Sequence, residues 1–262
     1  MVSRDGVLIV RHENELSGTT DVADRPEFAA RRTRKTIDGR LQEGWFAEDF
    51  DLAELKTLRC RERLPELRST AFDGVEPILT LEELIGIARE GDVGLMIELK
   101  HPGYFRSIGL DLEPRLMAAL AHAGVPVFIE CFEPEGLRRL AGARRPRIQL
   151  IAAEGAPDGE ETFPYADMLT TDGLRDITRW AEAISVEKTL LDSSLIARAS
   201  ALGLKVFAWT FRAENAFLPP DLRRGDDPAA HGDMAEELRR ARALGVDGVF
   251  CDFPGLARAA LG

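Results

Sequence analysis

From Thr80 to the end, the chain alternates short apolar runs with segments of helical periodicity, and few folds accommodate that pattern. Thr80 is a good helix N-cap, and Glu83 three residues on completes a capping box. Apolar runs at residues 93–99, 127–131, 147–152, 183–186, 204–210 and 246–252 read as strands. Helices are expected near residues 112–123, from Pro134 at a first-turn position, over 193–202 with Gly203 closing it, and over 234–244. Residues 165–170 give no clear signal and are assigned no element. Repeated strand–helix units predict a parallel sheet with right-handed crossovers.

A seventh strand is expected at Val7-Leu8-Ile9-Val10, continuously apolar as in a strand buried on both faces. Residues 13–79 break the alternation. They are polar and charge-rich, with turn signals at Ser17-Gly18 and Asp38-Gly39, and read as a long insertion over one end of a barrel. A complete (β/α)₈ barrel needs eight strands and about 250 residues. Setting the insertion aside leaves too few. The fold expected over residues 1–262 is therefore α/β, a (β/α)₈ TIM-type barrel missing its first strand and helix.

The formal net charge of −11 argues against a nucleic-acid partner, which a basic face would serve. Three cysteines, Cys60, Cys131 and Cys251, are widely spaced and support neither a disulfide framework nor a zinc site. No signal peptide and no apolar run long enough for a membrane span is visible. Neither a GxSxG, a P-loop nor a GxGxxG spacing is present, so serine hydrolases, P-loop NTPases and dinucleotide enzymes are disfavoured.

Parallel barrels place their chemistry at the carboxyl ends of strands. His12 stands at such an end, where an imidazole serves as general acid or base near neutral pH; the plain alternative is a surface-loop histidine. In Ile97-Glu98-Leu99-Lys100, alternation sends Glu98 and Lys100 to one side. A carboxylate there is a hard ligand for Ca²⁺ or Mg²⁺, and a lysine beside it holds a phosphate oxygen. A purely structural Glu98–Lys100 ion pair is the competing reading. A Lys100 Schiff base is disfavoured by the neighbouring carboxylate. Trp209 supplies an apolar wall or a rim aromatic, Asp252 a structural carboxylate, and His101 before Pro102 a turn residue.

Four of these segments, in this order, resemble the glycerophosphodiester phosphodiesterases, most closely the longer bacterial type often exported to the periplasm. They are Asp-Gly-Val-Leu-Ile-Val-Arg-His-Glu-Asn (residues 5–14), Ile-Glu-Leu-Lys (97–100), Trp-Thr-Phe-Arg-Ala-Glu-Asn-Ala-Phe-Leu-Pro (209–219) and Val-Asp-Gly-Val-Phe-Cys-Asp-Phe-Pro (246–254). Gly-Thr-Thr-Asp-Val (18–22) and Thr-Leu-Glu-Glu (80–83) extend the likeness along nearly the whole chain. The resemblance implies metal-dependent cleavage of glycerophosphodiesters to glycerol 3-phosphate and an alcohol, by attack of the substrate's own glycerol hydroxyl and later opening of a cyclic phosphate. It makes His12 the second of two catalytic histidines, Glu98 a metal ligand, and Lys100 and Trp209 substrate-pocket residues. The implied cofactor is a divalent cation, Ca²⁺ ahead of Mg²⁺, and the implied partner a small glycerophosphodiester. Compartment and oligomeric state stay open, with the periplasm or the exterior suggested for a full-length form.

The family also carries a His-Arg-Gly strand and a Glu-x-Asp strand ahead of the equivalent of Val2-Ser3, and neither is in this sequence. Glu98 alone would hold a hard cation weakly. The expectation is impaired activity in this chain and activity in a full-length counterpart, the alternative being an inactive barrel remnant with a structural or ligand-binding role.

Overall fold

The computed structural model describes residues 1–158 and 162–262, in two compact units. The first comprises residues 1–65 and 69–145, the second residues 66–68 and 146–262.

The first unit opens with irregular chain. Val7-Leu8-Ile9-Val10 is not the doubly buried strand its composition suggests. Among the described residues it makes only the isolated antiparallel bridges Val2↔Leu8 and Ile9↔Thr80. Its backbone bonds go to local turns and to the helix entry: Ile9 N donates to Met1 O at 3.0 Å, and Val10 N to Leu79 O at 2.8 Å. Ile9 is buried, while Val10 is 38 % exposed.

The insertion holds a hairpin that its polar sequence conceals. Strands β1 (Thr33–Ile37) and β2 (Arg40–Gly44) pair antiparallel. The turn between them is Asp38-Gly39, with φ of 49° and 71° at the two residues. Two consecutive positive φ values define the hairpin-favouring turn that Asp-Gly satisfies best. Both strands are mostly exposed, so no apolar alternation marks them. Cross-strand charge contributes to register, as with Arg34 Nε and Glu43 Oε2 at 2.7 Å. Behind the hairpin, Phe46, Phe50, Leu55 and Leu58 are fully buried, and Phe28 meets Phe50 edge to face at 5.1 Å.

The expected alternation then begins. Thr80 and Glu83 form the predicted capping box of helix Leu81–Glu90. Strand β3 (Leu95–Leu99), helices Pro102–Ser107 and Leu112–Leu120, strand β4 (Val127–Cys131) and helix Pro134–Arg139 follow. β3 and β4 are parallel, and Glu98 lies opposite Glu130 in the register.

The second unit continues the repeat through strands β5 (Arg147–Ile151), β6 (Ala183–Glu187), β7 (Lys205–Phe211) and β8 (Gly248–Cys251), in sheet order β5-β6-β7-β8 and parallel throughout. Helices Ser193–Ala201, Met234–Leu244 and Pro254–Leu261 lie between and after them, and a short helix Tyr165–Met168 fills the unassigned stretch. Ile148, Leu150, Ile184, Val186, Val206 and Ala208 are buried along the strands. Residues 66–68, inside the segment read as one insertion, belong to this second unit. The six parallel strands among the described residues give the α/β fold expected, a partial barrel.

Candidate active site

The site in the first unit is built on the carboxyl end of β3. Strand alternation turns Leu99 inward, where it is buried, and sends Glu98 and Lys100 together to the other side. Lys100 Nζ lies 3.2 Å from Glu98 Oε1. It also lies 3.3 Å from Nε2 of His12. The bridge of Ile9 to Thr80 and the bond from Val10 to Leu79 carry His12 to that position. The three residues singled out by their places in the sequence thus meet in one cluster.

The hydrogen bonds fix the imidazole's tautomer. A lysine ammonium only donates, so Nε2 of His12 accepts and Nδ1 carries the proton. Nδ1 donates to Glu13 Oε1 at 2.6 Å. Burial opposes ionisation of Glu13, but the His12 hydrogen bond and the nearby positive charge of Lys100 outweigh it and hold its pKa below the ordinary value. The His12 side chain is 59 % exposed, against 16 % for Lys100 and 21 % for Glu98. The imidazole therefore faces solvent, while the ion pair sits behind it.

Sequence reasoning missed Glu130. It is 7 % exposed. Burial, then the nearby charge of Glu98, push its carboxyl up to about 8, with Lys100 opposing. Glu130 Oε2 and Glu98 Oε1 are both buried and lack a hydrogen-bond partner among the described residues. For Glu98 this means that the Lys100 contact pairs charge without hydrogen-bond alignment. A signal was present: Ile97-Glu98-Leu99 and Ile129-Glu130-Cys131 each place a glutamate one residue before the strand's end.

His101 adopts φ 55° and caps helix Pro102–Ser107 directly after Lys100. Its Nδ1 is hydrogen-bonded to Asp38 in the hairpin turn, which fastens β1 and β2 to the end of β3. Beyond it, Gly103 N donates to Glu133 Oε2 at 2.9 Å. A side chain at Gly103 would bring its Cβ within 2.8 Å of that oxygen, so the Glu133 carboxylate would have to shift to admit one.

Trp209 belongs to the second unit. It stands on β7 opposite Glu187, half-buried, and its Nε1 donates to Ser185 O at 3.1 Å, which fixes the indole plane. Asp252, past the end of β8, accepts from Arg212 Nε at 2.9 Å and from Arg68 Nη2 at 2.7 Å. Arg68 Nε also donates to buried Glu214 at 2.5 Å. The two guanidinium groups hold Asp252 below its ordinary pKa against the opposing effect of burial.

Residues 1–256 match the model of the Glycerophosphoryl diester phosphodiesterase family. A glycerophosphodiester phosphodiesterase of Arabidopsis thaliana is 31 % identical over 284 residues, covering 97 % of this chain and 74 % of that protein. Among solved structures, a provisionally named glycerophosphoryl diester phosphodiesterase of Silicibacter pomeroyi superposes with a TM-score of 0.67 at 20 % identity, over 100 % of this chain and 80 % of the other. An Oleispira antarctica phosphodiesterase, solved in complex with the product sn-glycerol-3-phosphate, gives 0.62 at 20 % identity, over 100 % and 82 %.

Proposed function

The chain belongs to the glycerophosphoryl diester phosphodiesterase family, and on that premise we propose that it hydrolyses glycerophosphodiesters to glycerol 3-phosphate and an alcohol at the Glu98–Lys100–His12 cluster. The observation that carries the proposal is the position of Lys100 Nζ, 3.3 Å from His12 Nε2 and 3.2 Å from Glu98 Oε1. General acid–base, cationic and metal-ligating groups meet at one point.

A phosphodiester's charge repels nucleophiles, so cleavage needs positive charge on the phosphoryl oxygens and proton transfer at the attacking and leaving oxygens. Lys100 supplies a positive charge, kept in place by Glu98. His12 moves a proton at Nε2, with Glu13 orienting the ring through Nδ1. In the second unit, Trp209, held by its bond to Ser185, offers an apolar face to a ligand.

Glu98 fits the divalent cation that this family implies, because it offers a buried carboxylate oxygen that pairs in charge with Lys100 but has no hydrogen-bond partner among the described residues. Bound there, a hard cation neutralises charge on the phosphoryl group. Ca²⁺ is favoured over Mg²⁺, since it tolerates the irregular oxygen geometry that an ion-paired strand-end carboxylate provides. Affinity rises with the number of carboxylates, so weak Ca²⁺ binding (Kd about 1 mM) and slow turnover are expected of this chain.

The test is release of glycerol 3-phosphate from a set of glycerophosphodiesters, with Ca²⁺ and with EDTA. Release that needs Ca²⁺ and disappears in His12→Ala is expected. Release indifferent to both would overturn the proposal.

A further inference from the structure

Glu98 and Glu130 occupy the same register position on two adjacent parallel strands. Residues so paired stand about 4.8 Å apart and project from the same face. Each has one buried oxygen with no hydrogen-bond partner among the described residues. An unsatisfied buried carboxylate oxygen is destabilising, and two side by side add mutual repulsion. A glutamine at residue 130 would fill the same space without that repulsion. Lys100 touches Glu98 Oε1, so one ammonium faces two carboxyl groups.

We propose that Glu130 is a second carboxylate ligand for the divalent cation assigned to Glu98, an inference that rests on the cation reading above. Hard cations gather six to eight oxygens, and carboxylates contributed by neighbouring strands are suitably spaced to share one ion. The second carboxylate also explains why two acidic groups persist at one register position in a buried setting. One buried carboxylate beside Lys100 would suffice for a structural ion pair.

The test uses binding and stability as readouts. The chain and its Glu98→Gln, Glu130→Gln and Glu130→Asp variants are freed of metal with EDTA and dialysed. They are then titrated with CaCl₂ by calorimetry and melted with and without Ca²⁺. Ca²⁺ is expected to raise the parent's Tm. Both glutamine variants should lose that rise and bind Ca²⁺ about tenfold more weakly or worse. Glu130→Gln should melt near the parent in EDTA, because the amide keeps the volume of the acid. If Glu130→Gln does not fold, Glu130→Asp carries the test: a ligand shortened by one methylene loses affinity severalfold, and a bystander loses none. A Glu130→Gln chain that keeps the parent's Ca²⁺ response while Glu98→Gln loses it overturns the role of Glu130 and leaves the cation reading standing. A parent with no Ca²⁺ response in either measurement overturns both.

Discussion

Two acidic clusters in this chain have opposite electrostatic designs. In the first unit, Glu98 and Glu130 share Lys100 as their cationic neighbour. In the second, Glu214 and Asp252 are met by two guanidinium groups, Arg68 bridging both and Arg212 bonding Asp252. The consequences run in opposite directions. Glu130 is pushed up to about 8 by burial and by Glu98, while the arginine bonds pull Asp252 down. Matched charge marks a carboxylate used to hold the fold together. A carboxylate pair short of positive charge is what the proposed cation site requires. The arginines of the second cluster also lie against aromatic faces, Arg68 5.4 Å from Phe253 and Arg212 4.6 Å from Phe217. That stacking restricts their motion and suits a structural role.

The largest effect separating the clusters should come from His12→Ala. An acid–base group contributes about 10²–10⁴-fold to rate, so glycerol 3-phosphate release should fall by that factor. Because the ring is mostly exposed, the Tm should stay within a degree or two of the parent, as for other surface substitutions. A large loss of Tm would move His12 out of the site and into the fold.

Arg68→Ala should show the reverse. It leaves Glu214, whose side chain is 1 % exposed, without its hydrogen-bonding cation. Breaking a buried pair from one side costs about 3–5 kcal/mol. Because Arg68 is itself 21 % exposed, the expected loss is near the lower end, about 3 kcal/mol, read by urea unfolding. Ca²⁺ affinity should not change. A change in Ca²⁺ affinity without a loss of stability would erase the distinction between the clusters.

Local spacing explains which of these groups the sequence disclosed. Glu98 and Lys100 are two residues apart on one strand, so alternation alone puts them on one side. Glu130 is 32 residues from Glu98, and its meaning depends on the β3–β4 register, which no local pattern specifies. Arg68 is 146 residues from Glu214 and 184 from Asp252, so that network is invisible until the chain is folded. The run Val7 to Val10 misled for a related reason. Apolar composition reports a need for burial and does not name the partner, which proved to be the approach to Thr80. The hairpin at Thr33–Gly44 was concealed because its strands are exposed, and only its Asp38-Gly39 turn was legible.

The smallest effects are two pH slopes of opposite sign, measured by urea unfolding in EDTA. Asp252 has a folded pKa below its unfolded value of about 3.9, so its contribution is complete above that value and fades as pH falls through the folded pKa. Asp252→Asn should therefore lower stability at neutral pH and flatten the decline on acidification below about pH 4. A side chain 26 % exposed limits the change to about 1 kcal/mol. Glu130 has a folded value of about 8, above its unfolded one, so the native state holds a proton that the unfolded state releases. Its contribution is full below the unfolded pKa of about 4.3 and fades as pH climbs toward the folded value. Glu130→Gln should flatten the parent's decline between those limits and leave the acid limb alone. If the two variants flatten the same limb, the carboxylates share one environment, and charge matching no longer distinguishes the cluster that binds from the cluster that braces.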